Sequence, residues 1–314
     1  MEVVTFGETM ASFRPLYPEH LDGAAILARS IAGAESNVAI ALSRLGHGVA
    51  WISKLGDDPF GQHILRLLRG EGVDVGGVRM DRTHPTGLYF KQKSPTGRAQ
   101  VFYYRKGSAA SFLAPQEVDL EVFPQARYLF VTGITPALSA TCRETTFAAV
   151  QQAHERKMTV LFDPNLRLKL WGIEEARPIL LELVALSDIL LPGIEEARWL
   201  VGSDDPQIAA QRFLEMGPKQ VVLKLGPSGA YFDNQQQSGF VPGVKVREVD
   251  EVGAGDAFAA GLLSGLLEGE EVQDAVVRAV AMGAIAVTGV GDWEQSPSRQ
   301  ELELFLSGAQ TTLR

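Results

Sequence analysis

The chain has 314 residues, 46% hydrophobic and 21% charged, an ordinary globular composition long enough to bury a large core in one or two domains. Its net charge of −9 (29 basic against 38 acidic side chains) argues against nucleic-acid binding, so an anionic ligand must be captured locally by placed cations and main-chain N–H groups. The single cysteine, Cys142, excludes an internal disulfide and fits a reducing compartment, and no uncharged apolar run approaches the roughly 18 residues of a membrane span.

In chain order, VVTFGE (3–8) shows a β-pattern at once and reads as a core strand rather than a signal peptide. MASFRPL (10–16) is a second β-rich run, SNVAIALSRLG (36–46) has a helical pattern, and AWISKLG (50–56) reads as a strand. From Thr86 to Arg105 two β-rich runs flank SPTGR, a turn signal. They predict a hairpin, either on the edge of the main sheet or, with MASFRPL, in a small projecting sheet. SATCRET, around Cys142, reads as a helix start carrying an idle thiol. YLFVTG (128–133), TVLFDPN (159–165), DILLPG (188–193) and QVVLKLG (220–226) are short apolar runs ending in Gly, Asn or Pro, with a helical pattern over 174–186. QQQ at 235–237 is a short polar loop. Alternating strands and helices predict an α/β fold with a mostly parallel sheet, helices on both faces, and ligands beyond the C-terminal strand ends.

The sharpest chemical signal is DEVGAGDAFAAGLLSGLL, from Asp250 onward. Gly253, Ala254 and Gly255 are small enough to let the backbone approach a ligand, and a strong helix pattern follows. Such a turn aims unpaired N–H groups and the positive helix end at one point, an anion hole suited to a transferred phosphoryl group. Asp256 stands beside those donors, where a carboxylate takes a proton from an attacking hydroxyl. A plain helix start with a favourable first-turn acid is the other reading of the same residues. No G-x-G-x-x-G follows the first strand, no P-loop is present, and the five histidines lack metal-ligand spacing.

The run Asp250–Asp256 resembles the C-terminal signature of the ribokinase-like (PfkB) carbohydrate kinases, D-x-x-G-A-G-D. AGAESNVAIALSRLGHGVAWISKLGDDPFG (32–61) resembles their N-terminal signature, and the order and separation match across nearly the whole chain. The resemblance implies a single domain over 1–314, a three-layer α/β/α sandwich with a small β-sheet lid formed by about 10–16 and 86–111. It implies ATP as phosphoryl donor and Mg²⁺ as cofactor, a cytoplasmic enzyme, and no nucleic-acid or membrane partner. By the same resemblance Asp256 is the general base and Gly253, Ala254 and Gly255 hold the β- and γ-phosphates. KLGPSG, with Lys224, Gly226 and Gly229, is similar to the family's nucleotide loop. Glu196 matches the acid of an N-x-x-E motif that orders Mg²⁺ through water, although Gly193 replaces the Asn.

Within the family, FYYRKGSAAS (102–111), VTGITPALS (131–139), FDPNLR (162–167) and GDWEQSP (291–297) are most similar to kinases of 2-keto-3-deoxygluconate. That implies transfer to the 6-hydroxyl of a sugar acid; 2-keto-3-deoxygalactonate, fructose or a non-catalytic sugar-binding role are the alternatives. A carboxylate suits the two-pronged grip of Arg105, with Tyr89 and Tyr103 as walls; alternation puts Tyr103 and Arg105 on one face and Tyr104 on the other. Gly33, Ala34 and Asn37 match the sugar-contacting loop, and Asp292 matches a residue for a substrate hydroxyl, with loop capping as its alternative. Arg167 fits substrate or nucleotide phosphate, and Asn165 fits phosphate or ribose, or a self-bonded turn. Exposed β-edges and aromatics on the lid imply a homo-oligomer, at least a dimer.

Overall fold

A computed structural model describes residues 1–17, 19–93 and 99–308, so the expected SPTGR turn lies outside the described residues. The first eight strands are β1 (Val3–Phe6), β2 (Met10–Pro15), β3 (Leu27–Ala32), β4 (Val49–Ile52), β5 (Lys54–Gly56), β6 (Arg79–Asp81), β7 (Leu88–Lys93) and β8 (Ala99–Tyr104). β9 (Tyr128–Thr132), β10 (Thr159–Asp163), β11 (Ile189–Leu190), β12 (Gln220–Lys224), β13 (Gly229–Asp233) and β14 (Ser238–Pro242) follow. The helices are α1 (Ala34–Arg44), α2 (Pro59–Gly70), α3 (Thr135–Leu138), α4 (Ala140–Glu155) and α5 (Ile173–Ala185). The rest are α6 (Ile194–Val201), α7 (Pro206–Leu214), α8 (Ala254–Glu268), α9 (Val272–Ala286) and α10 (Arg299–Leu306).

The main sheet has eight strands in the order β14-β13-β12-β11-β10-β9-β1-β4. From β4 through β12 every neighbouring pair is parallel, whereas β12–β13 and β13–β14 are antiparallel. The parallel strands are apolar throughout because both faces are covered. Period-two alternation sends Val3, Trp51, Phe130 and Leu161 into a core shared with α1, α8 and α9. Val4, Ile52, Leu129, Val131 and Phe162 point the other way, into a core shared with α4, α5 and α7. These are the three layers expected of a ribokinase-like sandwich.

A second sheet, β3-β2-β7-β8, lies over the C-terminal strand ends. MASFRPL and the hairpin therefore share a small sheet, as expected, and β3 joins it although its half-exposed LARSIA run gives little apolar signal. One expectation changes. AWISKLG splits at Ser53, whose Oγ donates to the Gly7 carbonyl at 2.7 Å, and the second half, β5, pairs with β6 in a separate two-stranded ribbon. The sheet also continues past β12 into an antiparallel hairpin that the parallel pattern does not foretell. SATCRET does begin a helix: Ser139 Oγ accepts from the Cys142 N–H at 3.0 Å, and Cys142 is buried. No helix among the described residues is long and apolar enough to cross a membrane.

Asp58 joins the small sheet to the body. Its Oδ1 caps α2 by accepting from the N–H groups of Phe60 and Gly61, both at 2.9 Å, and its Oδ2 accepts from the Thr86 N–H at 2.8 Å. Thr86 Oγ1 in turn accepts from the Gly56 N–H at 3.1 Å. Burial works against the charge on Asp58, yet these N–H donors outweigh it and hold its carboxyl below the ordinary 3.8. A depressed carboxylate stabilises the fold above its unfolded pKa and loses that contribution as pH falls through its folded value. Asp58→Ala is expected to cost about 1–2 kcal/mol in urea unfolding at pH 7, with the gap to wild type narrowing as pH falls below about 4.

Candidate active site

α8 begins where the chain must turn sharply. Gly253 is its N-cap at φ 84°, a left-handed conformation that glycine adopts freely, and a Cβ there would collide with the Asp292 carbonyl. Ala254 and Gly255 open the helix; the Ala254 N–H donates to the Glu251 carbonyl at 3.4 Å, while the N–H groups of Gly255 and Asp256 have no intrahelical partner. The Asp256 Oδ2 accepts from Asn37 Nδ2 at 2.8 Å, which joins the first turns of α1 and α8. Burial pushes the Asp256 carboxyl up to about 7; the Asn37 hydrogen bond and the charges of Arg167 and Lys224 oppose that shift, while Asp163 reinforces it. Gly33 caps α1 with its backbone packed on the Glu8 carbonyl, and Ala34 follows it.

Behind this turn lies a charged cluster at the ends of β10 and β12. Lys224 Nζ is 2.5 Å from Asp163 Oδ2. Burial opposes the ammonium charge, but Asp163 and Glu196 outweigh it and raise its pKa. Burial raises the Glu196 carboxyl, whose oxygens accept from the N–H groups of Gly193 (2.6 Å) and Leu166 (2.7 Å). Asn165 sits in the same loop at φ 38°, with its N–H donated to Asp163 Oδ1 at 3.1 Å. Gly226 starts a short turn after β12, and Gly229 begins β13. Among the described residues, no three His, Cys, Asp or Glu side chains are grouped to hold a metal by themselves. With Glu196 and Asp163 already engaged, these residues fit a hard cation that keeps its waters and leans on phosphate oxygens, as Mg²⁺ does.

The small sheet supplies the opposite wall. Tyr89 and Tyr103 are register partners with ring centroids 5.4 Å apart on its inner face, while Tyr104 is 66% exposed on the outer one. Arg105 is already held by an acid of this chain. It is 9% exposed, ion-paired through Nε and Nη2 to Glu8, and its guanidinium carbon lies 5.6 Å from the Tyr103 ring centre. Glu8 also accepts from Ser108 Oγ. Arg167 is exposed and makes no ion pair among the described residues, yet its charge acts on both Asp256 and Tyr89. Asp292 faces the cleft beside Lys91, and burial pushes its carboxyl up to about 7.

Glu8, Glu35, Lys91 and Asp163 are the site residues that sequence reasoning misses. Glu35 is wholly buried in the first turn of α1, accepts from Thr132 Oγ1 (2.6 Å) and Thr135 Oγ1 (3.0 Å), and keeps Oε2 unpaired. The one available signal is Lys91, a cation that period-two alternation puts in the same register as Tyr89.

A proton acceptor tuned toward neutrality beside a rigid set of main-chain donors suits phosphoryl transfer to an alcohol. The proteins that build this at the end of a parallel sheet, beneath a second small sheet, are the sugar kinases of ribokinase type. Residues 1–299 match the pfkB family carbohydrate kinase model, and the chain belongs to that family. It is 43% identical to a 2-dehydro-3-deoxygluconokinase of Bacillus subtilis (strain 168), over 99% of this chain and 97% of the relative. Its fold matches the crystal structure of a PfkB protein from Polaromonas sp. JS666, with TM-score 0.89, 41% identity and coverage of 96% of this chain and 99% of that one. A putative ribokinase II from E. coli in complex with ATP and Mg²⁺ superposes with TM-score 0.91 at 28% identity, covering 98% of this chain and 99% of the other.

The carboxyl of Asp256 is expected to titrate near pH 7 in carbon-13 NMR of aspartate-labelled protein. Because the Asn37 donor favours the charged form, Asn37→Ala should move that titration upward, and an unmoved or lowered value would separate the two residues.

Proposed function

We propose that this chain transfers the γ-phosphoryl group of MgATP to the 6-hydroxyl of 2-keto-3-deoxygluconate, giving the 6-phosphate and ADP. The observation that carries the reaction is Asp256, a half-buried carboxylate fixed by Asn37 at the N-terminus of α8. The 43% identity to the Bacillus subtilis kinase supports the acceptor.

In this reading Asp256 takes the proton of the 6-hydroxyl as its oxygen bonds to the γ-phosphorus, and the β–γ bridging oxygen leaves with ADP. The N–H groups at Gly253, Ala254 and Gly255 face the charge that builds on the transferred group. Lys224 and Asn165 lie toward the nucleotide, together with Gly226 and Gly229. Arg167, uncommitted and felt by both Asp256 and Tyr89, stands where donor and acceptor meet. Mg²⁺, when bound with the triphosphate, would supply charge neutralisation, and Glu196 is the residue that would hold its waters. Gly33, Ala34, Asn37, Tyr89, Tyr103, Arg105 and Asp292 enclose the sugar, and the small sheet acts as a lid that excludes water. A cytoplasmic setting fits the one buried thiol, Cys142.

The Glu8–Arg105 pair favours a second reading, a neutral hexose such as fructose, because Glu8 already neutralises the cation meant for a carboxylate. A coupled ADP-release screen over sugar acids and neutral sugars decides between them. The sugar acid should give the highest kcat/KM, and Arg105→Ala should weaken it far more than a neutral sugar; equal losses remove the carboxylate role. Asp256→Asn should lower kcat by about 10³-fold or more with ATP binding little changed. Since the base must be ionised, kcat/KM should rise about tenfold per pH unit below about 7 and level off above.

We also propose that two copies pair through the outer face of the lid. Phe13, Phe90 and Tyr104 form an aromatic ladder there, with Phe102 45% and Leu27 38% exposed beside it. Light scattering at micromolar concentration should give twice the mass of one chain, and Tyr104→Lys should shift it toward one.

A further inference from the structure

One buried cation has no part in the assignments above. Lys91 lies on β7, on the inner face with Tyr89, and its side chain is only 8% exposed. Its Nζ is 2.5 Å from Asp250 Oδ2 and 3.6 Å from Asp292 Oδ1. Both acids are withdrawn from water, at 3% and 11% exposure. Asp250 reaches further: Oδ1 accepts from the Val252 N–H (3.4 Å) and Oδ2 from the Gly291 N–H (3.5 Å). Asp292 comes back to the same place, since its carbonyl packs against Gly253, the N-cap of α8. The ammonium therefore joins three separate segments: the small sheet, the turn that becomes the anion hole, and the loop carrying Asp292.

Desolvating one cation and two carboxylates is costly unless each is compensated, and removing one partner leaves an uncompensated buried charge. The apolar cluster beneath the small sheet, centred on Met10, Ala32 and Tyr89, is separate from both main cores. The ion pair is thus a joint between two bodies and not a piece of one core.

We propose that Lys91 is a positioning residue that makes the shape of the anion hole at Gly253–Gly255 depend on the small sheet being seated over the cleft. With the sheet seated, the ammonium offsets Asp250 and Asp292 and fixes the turn from Asp250 to Gly253. With the sheet lifted, two carboxylates face each other without a cation, and the turn relaxes from the geometry that holds a phosphoryl group. A sugar bound against Tyr89, two residues before Lys91 on the same face, then favours the seated sheet and the completed hole together. Water, which holds no sheet down, meets an incomplete one. This inference rests on the kinase reading, and its test separates the two.

In the unliganded full-length protein, Lys91→Met should speed hydrogen–deuterium exchange of the amides over 250–256 by at least tenfold, while Lys91→Arg stays near wild type. That measurement needs no acceptor. In turnover with ATP and the sugar acid, Lys91→Met should lower kcat by about 100-fold, the scale of a misplacement near 1 Å, with KM for the sugar changed by less than about threefold. Lys91→Arg should recover at least tenfold of that loss. Ethylammonium should restore Lys91→Ala by tenfold or more, where the same concentration of choline does not. Lys91→Met with kcat within twofold of wild type, or with wild-type exchange over 250–256, overturns the proposal. A folded Lys91→Ala that ethylammonium fails to rescue also counts against it. Wild-type protein that turns over no sugar at all instead defeats the kinase reading, and the exchange experiment still decides the role of Lys91.

Discussion

A single carboxylate, Asp256, is held between opposing fields, and the rest of the structure serves that balance. Burial raises its proton affinity toward neutrality. Asn37, Arg167, Lys224 and the positive end of α8 pull the other way, and Asp163 pushes back. Too little burial would leave an ordinary, weakly basic aspartate, and too few donors would leave it protonated. The balance needs α1 and α8 to meet at their first turns, although Asn37 and Asp256 are 219 residues apart in sequence. Both helices root in the same core beneath the parallel sheet, which sets their N-termini side by side at the strand ends.

The second constraint concerns how the small sheet is attached. Its contacts with the body include a set of polar joints: Asp58 with Thr86, Glu8 with Arg105 and Ser108, and Lys91 with Asp250. A continuous apolar core would weld the two bodies, because separating it exposes its whole area to water. Polar joints break with partial compensation from solvent and re-form with fixed geometry. An enzyme that must admit two ligands and then exclude water needs that kind of attachment.

What the sequence discloses follows from how local each signal is. The parallel strands are legible because apolar runs such as YLFVTG and TVLFDPN end in turn residues, and Tyr103 and Tyr104 separate by simple alternation. The GAGD turn is legible because only small residues fit where Gly253 meets the Asp292 carbonyl. The hairpin of β13 and β14 escapes because GAYFD and SGFVP are short and carry glycine, so neither shows a period. The partner of Arg105 escapes for a different reason: Glu8 is 97 residues away, and an ion pair leaves no mark on the pattern around either member. Lys91 lies between these cases. Its inward register is readable, whereas its bond to Asp250, 159 residues on, is a property of the fold.

The pairing of the site's cations bears on how a chain of net charge −9 receives anions. Lys224 stands with Asp163 and Glu196, Arg105 with Glu8, and Lys91 with Asp250 and Asp292. Unpaired, three cations that are buried or half-buried would lose solvation that no empty cleft restores. Paired, they contribute little net field, so attraction toward a phosphate must come from the exposed Arg167 and the amides of α8. The paired cations then act through direction: a guanidinium or ammonium fixed by its own carboxylate presents its remaining N–H groups at set angles. Affinity from such a group is modest, because the ligand competes with a resident acid already in place. What it contributes is orientation, and orientation matters most in the transition state, where a misaligned hydroxyl and phosphorus do not react.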